Sequence, residues 1–437
     1  MGGAGGVRWS RGLRPGAPGS RTTRLELFYD LVFVFAFIQV TTLTADNATP
    51  RGLVQCGVVL ALLWWAWTGF AVLGNMVRTD QGVVLPLLGF TTMAAAFVFA
   101  LAMPRAFLDL PGGLPGPLVF AVCYFVVRAI QVALYGWLAR GSPELHRRFL
   151  FTAGRGAIVG VLILSAALLP KGLTGEQEKI GLRLALWIAA VAVEYGTALA
   201  RSGGGWTVLS AGHWAERHAL IVLVALGETI IGLGLGAGFV AARPLTWPVI
   251  VAATLGVTVV AGFWWAYFDS FALAVEQTLH RTRDPQARAL LARDAYTYLH
   301  LPLVAGPILF ALGLKRLLGG AAEPVTSAGG TLPGFDLLAL YGGVALYLLT
   351  LVALGWRVLR LRRWPTIVGI VLLAVLVPAA TRMPGLAALG LLTGVVLAVT
   401  VVQTLADAPL RRRVRGLAWA EQLAAEAEQT NWRGRHL

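Results

Sequence analysis

Residues 216–238, ERHALIVLVALGETIIGLGLGAG, form an apolar run of bilayer-spanning length that carries a carboxylate, Glu228, near its middle. A helix needs about 20 residues to cross roughly 30 Å of hydrocarbon. A carboxylate at the centre of such a helix costs roughly 2.5 to 3.5 kcal/mol on insertion scales and usually comes with a partner, a proton or a substrate. The stretch therefore fixes the kind of protein and poses its main question, which is what Glu228 meets.

The rest of the composition agrees with a membrane protein. The chain is 57% hydrophobic and 13% charged, against roughly 25% charged in a soluble domain, which excludes a soluble globular enzyme. Its 15 Trp and 52 Gly suit interfacial indoles and close helix packing. The formal net charge is +15, which in a soluble protein would suggest nucleic acid. Here the basic runs Arg360 to Arg363 and Arg411 to Arg415 read as topogenic and lipid-facing, so no nucleic-acid partner is expected. Cys56 and Cys123 each lie in an apolar run, which indicates neither a disulfide framework nor a metal cluster.

Outward from 216–238, apolar runs recur at about 25–45, 52–74, 82–103, 116–139, 149–169 and 180–200 before it. After it they recur at about 246–268, 296–318, 335–356, 364–381 and 385–406. The first run carries Asp30 and is followed by many others, so it reads as a membrane helix and not as a signal peptide. Residues 269–294 form the one long polar connection and predict a surface helix interrupted at Pro285. Most of the 36 Lys and Arg fall in the two tails and the even-numbered connections, which predicts cytoplasmic termini.

A weak internal repeat is visible. Trp64-Trp65-Ala66 is echoed by Trp264-Trp265-Ala266, and each follows a helix with an acid at its start, Glu26 and Glu216. The predicted fold is an all-α integral membrane protein of about twelve transmembrane helices in two parallel six-helix repeats, one of the transporter architectures. The predicted organisation is a basic tail at 1–24, a first half at 25–205, a second half at 206–407 and a basic tail at 408–437.

Several polar groups inside the spans are candidates for function. Glu26 and Asp30 are four residues apart and share a helix face; Glu26 also suits a capping role at the helix start. Arg217 is eleven residues before Glu228, about 16 Å away by helix rise, so the two do not touch. Arg217 can instead pair with Glu26 or Asp30, and Arg128, Arg155 and His300 are candidate partners for Glu228. Glu194 is the other deep acid, and Arg128 can pair with it or with Glu228. His213, Glu216 and His218 resemble a metal set, but His218 is five residues from His213 whereas zinc helices space their histidines four apart. No metal and no cofactor is expected. Gly232 with Gly236, and Gly234 with Gly238, make small-xxx-small pairs for close packing.

LELFYDLVFVFAFIQVTTL, LLWWAWTGFAVLGNMVRTD, GHWAERHALIVLVALGETIIGLG and FWWAYFD together resemble the low temperature requirement protein A family of bacterial membrane proteins. The resemblance runs from about residue 21 to about 405. It marks Glu26, Asp30, His213, Glu216, Arg217 and Glu228 as signature positions, with Trp64-Trp65 and Asp269 near them, and implies a multi-pass protein of the cytoplasmic membrane without implying a reaction.

The favoured expectation is a transporter or permease-like bundle with a substrate or proton path along Glu228, Asp30, Arg217, Glu26, Glu216, His213, Arg128, Glu194 and His300. No catalytic residue is assigned. Its partners would be the bilayer and a small solute, ion or lipid, and a homo-oligomer stays open. The alternatives are an intramembrane enzyme acting on a lipid, with Asp30 and Glu228 as acid and base across a pocket, and a structural membrane protein without turnover.

Overall fold

The structure is a computed structural model that describes residues 21–77, 83–109, 112–140, 142–200, 208–236, 245–321 and 330–436. Residues 1–20 of the basic tail, the predicted 205/206 boundary, Gly238 and residues 322–329 lie outside the described residues. In chain order the helices are α1 (Arg24–Asp46), α2 (Pro50–Met76), α3 (Val84–Ala102), α4 (Gly116–Ala139), α5 (Pro143–Leu168), α6 (Glu176–Ala200), α7 (Ala211–Gly236) and α8 (Trp247–Phe268). They continue with α9 (Phe271–Arg281), α10 (Pro285–Ala292), α11 (His300–Ala321), α12 (Gly334–Leu354), α13 (Trp364–Ala380), α14 (Gly385–Ala406) and α15 (Ala408–His436). Among the described residues, eleven helical segments are long and apolar enough to cross a membrane, and Trp364–Ala380 is a shorter apolar helix. They occupy the twelve positions read from the sequence, so the chain is an all-α multi-pass membrane protein.

Local sequence sets where the helices begin. Thr49-Pro50, Ser142-Pro143 and Asp284-Pro285 each place a capping side chain before a proline at the first helical position. The cap oxygens accept from Gly52 N, Leu145 N and Ala287 N, and proline loses nothing where no intrahelical donor is needed. The polar connection is two short helices, α9 and α10, separated at Pro285 as predicted, and α9 buries Phe271, Ala274, Val275 and Leu279 along one stripe.

The helices pack as two compact units, Met1–Gly232 with Asp284–Leu312, and Leu233–Arg283 with Gly313–Leu437. In the first unit α2 is the core helix, buried without interruption from Val58 to Thr68. A helix buried on every side must satisfy its polar groups by contacts with other helices. Residues 293–298, between α10 and α11, form a π-helical turn whose free groups find side-chain partners. Trp64 Nε1 donates to Thr297 O at 2.7 Å, and Arg293 Nη1 donates to Ala198 O at 3.1 Å.

In the second unit α8 packs on α14, and α12, α13 and α14 follow one another as neighbours. Tyr347 donates to Phe263 O at 2.7 Å, tying α12 to α8. Asp269, beside the Trp264-Trp265 pair, accepts from Arg415 at 2.6 Å and lies 3.7 Å from Arg411, which holds α15 to the end of α8. The two Trp pairs of the predicted repeat occupy different settings. Trp64 and Trp65 are 1% and 3% exposed, whereas Trp264 and Trp265 are 43% and 40% exposed.

Candidate functional site

The first unit brings most of the predicted residues together where α1 meets α7. His213 Nε2 lies 3.2 Å from both oxygens of Glu26, and Arg217 Nη2 donates to Asp30 Oδ1 at 2.9 Å. Farther along, the Thr41 hydroxyl lies 3.2 Å from Glu228 Oε1. All three contacts join residues 187 apart. A constant offset means that the two helices run side by side in the same direction, as the five helices between them require. Steps of four and eleven residues stay on one helix face, because eleven residues complete close to three turns.

Hydrogen bonding fixes the His213 tautomer. Asn75 Oδ1 accepts from Leu209 N at 2.8 Å, so its Nδ2 is the donor, reaching Ser210 O at 2.7 Å and His213 Nδ1 at 3.4 Å. His213 Nδ1 is then an acceptor, and Nε2–H points at Glu26. Glu26 also completes a capping box with Thr23 at the start of α1, so it serves the helix end and the contact with α7 together. Gly74 makes this possible. A Cβ there would stand 1.9 Å from Glu26 Oε1. Asp30 accepts a second bond, from Trp67 Nε1 at 2.9 Å, and the Arg217 guanidinium lies 5.5 Å above the Trp67 ring. Glu216 stands outside this column and accepts from the Thr22 N–H at 2.9 Å, just before α1 begins.

His218, one residue after Arg217, turns into a box of rings. Trp67 and Trp214 lie 4.9 and 4.8 Å from it by centroid, with Tyr296 at 5.0 Å and His300 at 5.4 Å. His218 Nδ1–H donates to Trp214 O and His300 Nδ1–H donates to Ala295 O, both at 2.8 Å. Each imidazole therefore keeps Nε2 as its basic nitrogen. A cavity of about 70 Å³ adjoins the column and is lined by Glu26, Tyr29, Thr92 and Arg217 among others; it has room for water.

Arg128 and Glu194 form a separate cluster. Arg128 Nη2 donates to Glu194 Oε1 at 3.0 Å and Nη1 donates to Gln131 Oε1 at 2.7 Å. Arg155 Nε lies 2.8 Å from Glu194 Oε2, an ion pair by distance whose N–H is not aimed well at the oxygen. Both arginines offered to Glu228 by the sequence thus go to Glu194, which is fully buried. Nor do Asp30 and Glu228 face one another. Glu228 meets α1 at Thr41, eleven residues beyond Asp30 and about 16 Å along the axis, too far for an acid and a base at one reacting atom.

Sequence reasoning did not find Thr41, Trp67, Gly74, Asn75 or Gln131. Gln131 had a signal, three residues after Arg128 and hence on its face. Asn75 had another, as an amide at the end of an apolar run.

The profile of the bacterial low temperature requirement A protein family matches residues 21–401. A relative from Rhizobium meliloti (strain 1021), described as uncharacterized protein RA0937, is 32% identical over 301 residues, which is 66% of this chain and 67% of the relative. No solved structure matches. The matched span runs from α1 to α14 and includes the α1–α7 column and the Arg128–Glu194 cluster, and the chain belongs to the bacterial low temperature requirement A (LtrA) family.

Proposed function

We propose that this LtrA protein is a carrier of the cytoplasmic membrane, with both termini in the cytoplasm, in which protons move along the α1–α7 column and Glu228 is the group that couples them to transport. The observation that carries the reading is the row of buried ionisable side chains along α7. It begins with His213 on Glu26, continues with Arg217 on Asp30 and His218 beside His300, and reaches Glu228 on Thr41. From residue 213 to 228 the row covers about 22 Å of a roughly 30 Å core.

The charge types favour protons as the mobile species. Three carboxylates, Glu26, Asp30 and Glu228, accompany one permanent cation, Arg217, and three imidazoles. Imidazole and carboxylate take up and release protons, and buried clusters of them in membrane helices mark proton relays. Arg217 holds Asp30 by an ion pair and stacks on Trp67, so it positions the column. The cavity beside Glu26 supplies an approach for protons at one end. In proteoliposomes carrying a pH step, Glu228→Gln is expected to abolish the proton-linked flux while expression is unchanged; an unchanged flux contradicts the reading.

A further inference from the structure

We infer that the cavity enclosed by α2, α4, α5 and α6 is a binding site for an oxyanion of the phosphate class, held by the guanidiniums of Arg155 and Arg128. The cavity measures about 110 Å³ and both arginines line it, together with Trp65, Gln131, Phe151 and Thr152. That volume exceeds by several-fold the roughly 10–15 Å³ needed by one water.

Charge gives the ligand's sign. Arg128 and Arg155 share a single carboxylate, Glu194, so the buried trio carries a surplus positive charge. An arginine cannot shed that charge by losing a proton. Hydrogen-bond capacity gives the ligand's place. Arg128 spends its two terminal nitrogens on Glu194 and Gln131. Arg155 meets Glu194 through Nε as an ion pair only, and its terminal nitrogens make no hydrogen bond among the described residues while its side chain keeps 13% exposure. The Arg155 guanidinium is already oriented, 5.2 Å over Trp65 and 6.0 Å from the Phe151 ring, so little order is lost when it grips a ligand. A guanidinium fork with free terminal N–H groups matches phosphate oxygens.

The shape provides two routes to the same group. The cavity runs from mid-bundle at Arg128 and Arg155 to Arg148, Met76 and Ala198, near the start of α5 and the ends of α2 and α6. A soluble phosphate compound has that way in. Arg128 also lines a second groove of about 560 Å³ along α4 and α5, floored by Gly136, Gly156 and Gly160. An acyl chain fits there, which admits the phosphodiester of an anionic lipid. The ligand site stands apart from the α1–α7 column, and its test does not depend on proton flux.

The experiment is equilibrium binding to the full chain. Inorganic phosphate is titrated into protein in uncharged detergent, and phosphatidylglycerol is compared with phosphatidylcholine in nanodiscs. Two variants accompany the wild type. Arg155→Gln removes the free fork, and Thr152→Trp fills the cavity while every charge stays, so the second decides the matter if the first fails to fold. Saturable phosphate binding identifies a soluble ligand, and phosphatidylglycerol binding alone identifies a lipid headgroup. In either case both variants are expected to weaken binding by about tenfold or more, as expected for a lost hydrogen bond to a charged group. No saturable binding of either probe by the wild type, or wild-type binding by a folded Thr152→Trp, overturns the inference.

Discussion

Trp64 and Trp65 are neighbours on α2, and they face two polar clusters of opposite character. Trp64 borders the column of α1, α7 and α11, with its ring 6.0 Å from His218 and its indole N–H on Thr297 O. Trp65 borders the cluster of α4, α5 and α6, beneath Arg155 and 4.6 Å from Tyr195. In the column, acids outnumber permanent cations; in the cluster, arginines outnumber acids. The difference has a chemical consequence. A surplus carboxylate in an apolar bundle is neutralised by a proton, whereas a surplus guanidinium keeps its proton and calls for an anion. One buried helix thus separates a region suited to proton traffic from a region suited to anion binding.

The comparison is broken most directly through its two acids. Glu194→Gln leaves two guanidiniums facing one another, and Asp30→Asn leaves Arg217 without its carboxylate. Each is expected to cost about 3–5 kcal/mol in chemical unfolding, the usual penalty for removing one partner of a buried pair. Added phosphate is expected to restore part of the Glu194→Gln loss and none of the Asp30→Asn loss. Equal rescue of both, or of neither, removes the distinction between the regions.

A smaller effect is expected at the close approach of α2 to α1. Gly74→Ala puts a methyl group against Glu26 Oε1 and is expected to destabilise by about 1–3 kcal/mol, the range for overpacking. The matching site on the other side of α2 is Gly69, where a Cβ would stand 2.5 Å from Gln131 Oε1. Gly69→Ala is expected to disturb phosphate binding, and Gly74→Ala is not. Smallest is Trp67→Phe, which keeps a ring under Arg217 but loses the bond to Asp30 Oδ1. Its expected cost is about 0.5–1 kcal/mol, since Arg217 still satisfies the same oxygen. A loss equal to that of Asp30→Asn shows that the indole bond, and not the ion pair, holds the column.

Much of this was legible in the sequence. Eleven spans among the described residues follow from apolar length, and the Arg217 pairing with Asp30 was one of two options that charge and depth allowed. The Arg128 pairing with Glu194 was likewise one of two. The rest depends on which helix faces meet. Glu228 meets Thr41, and a hydroxyl in a span carries no special signal, because threonine in a helix satisfies itself on a carbonyl one turn back. Gly69 and Gly74 read as ordinary membrane glycines until Gln131 and Glu26 are seen against them. The π-helical turn at 293–298, which brings Tyr296 and His300 to His218, follows from packing and leaves no mark in the residue pattern.

The central claim is that Glu228 carries the proton. Its direct test is proton flux into proteoliposomes with an internal pH dye, an imposed pH step and the membrane potential clamped. Wild type is expected to dissipate the step, and Glu228→Gln is expected to slow it by about 10²-fold or more, as expected when a proton-transfer group is lost. Wild-type flux from a folded, correctly inserted Glu228→Gln contradicts the account.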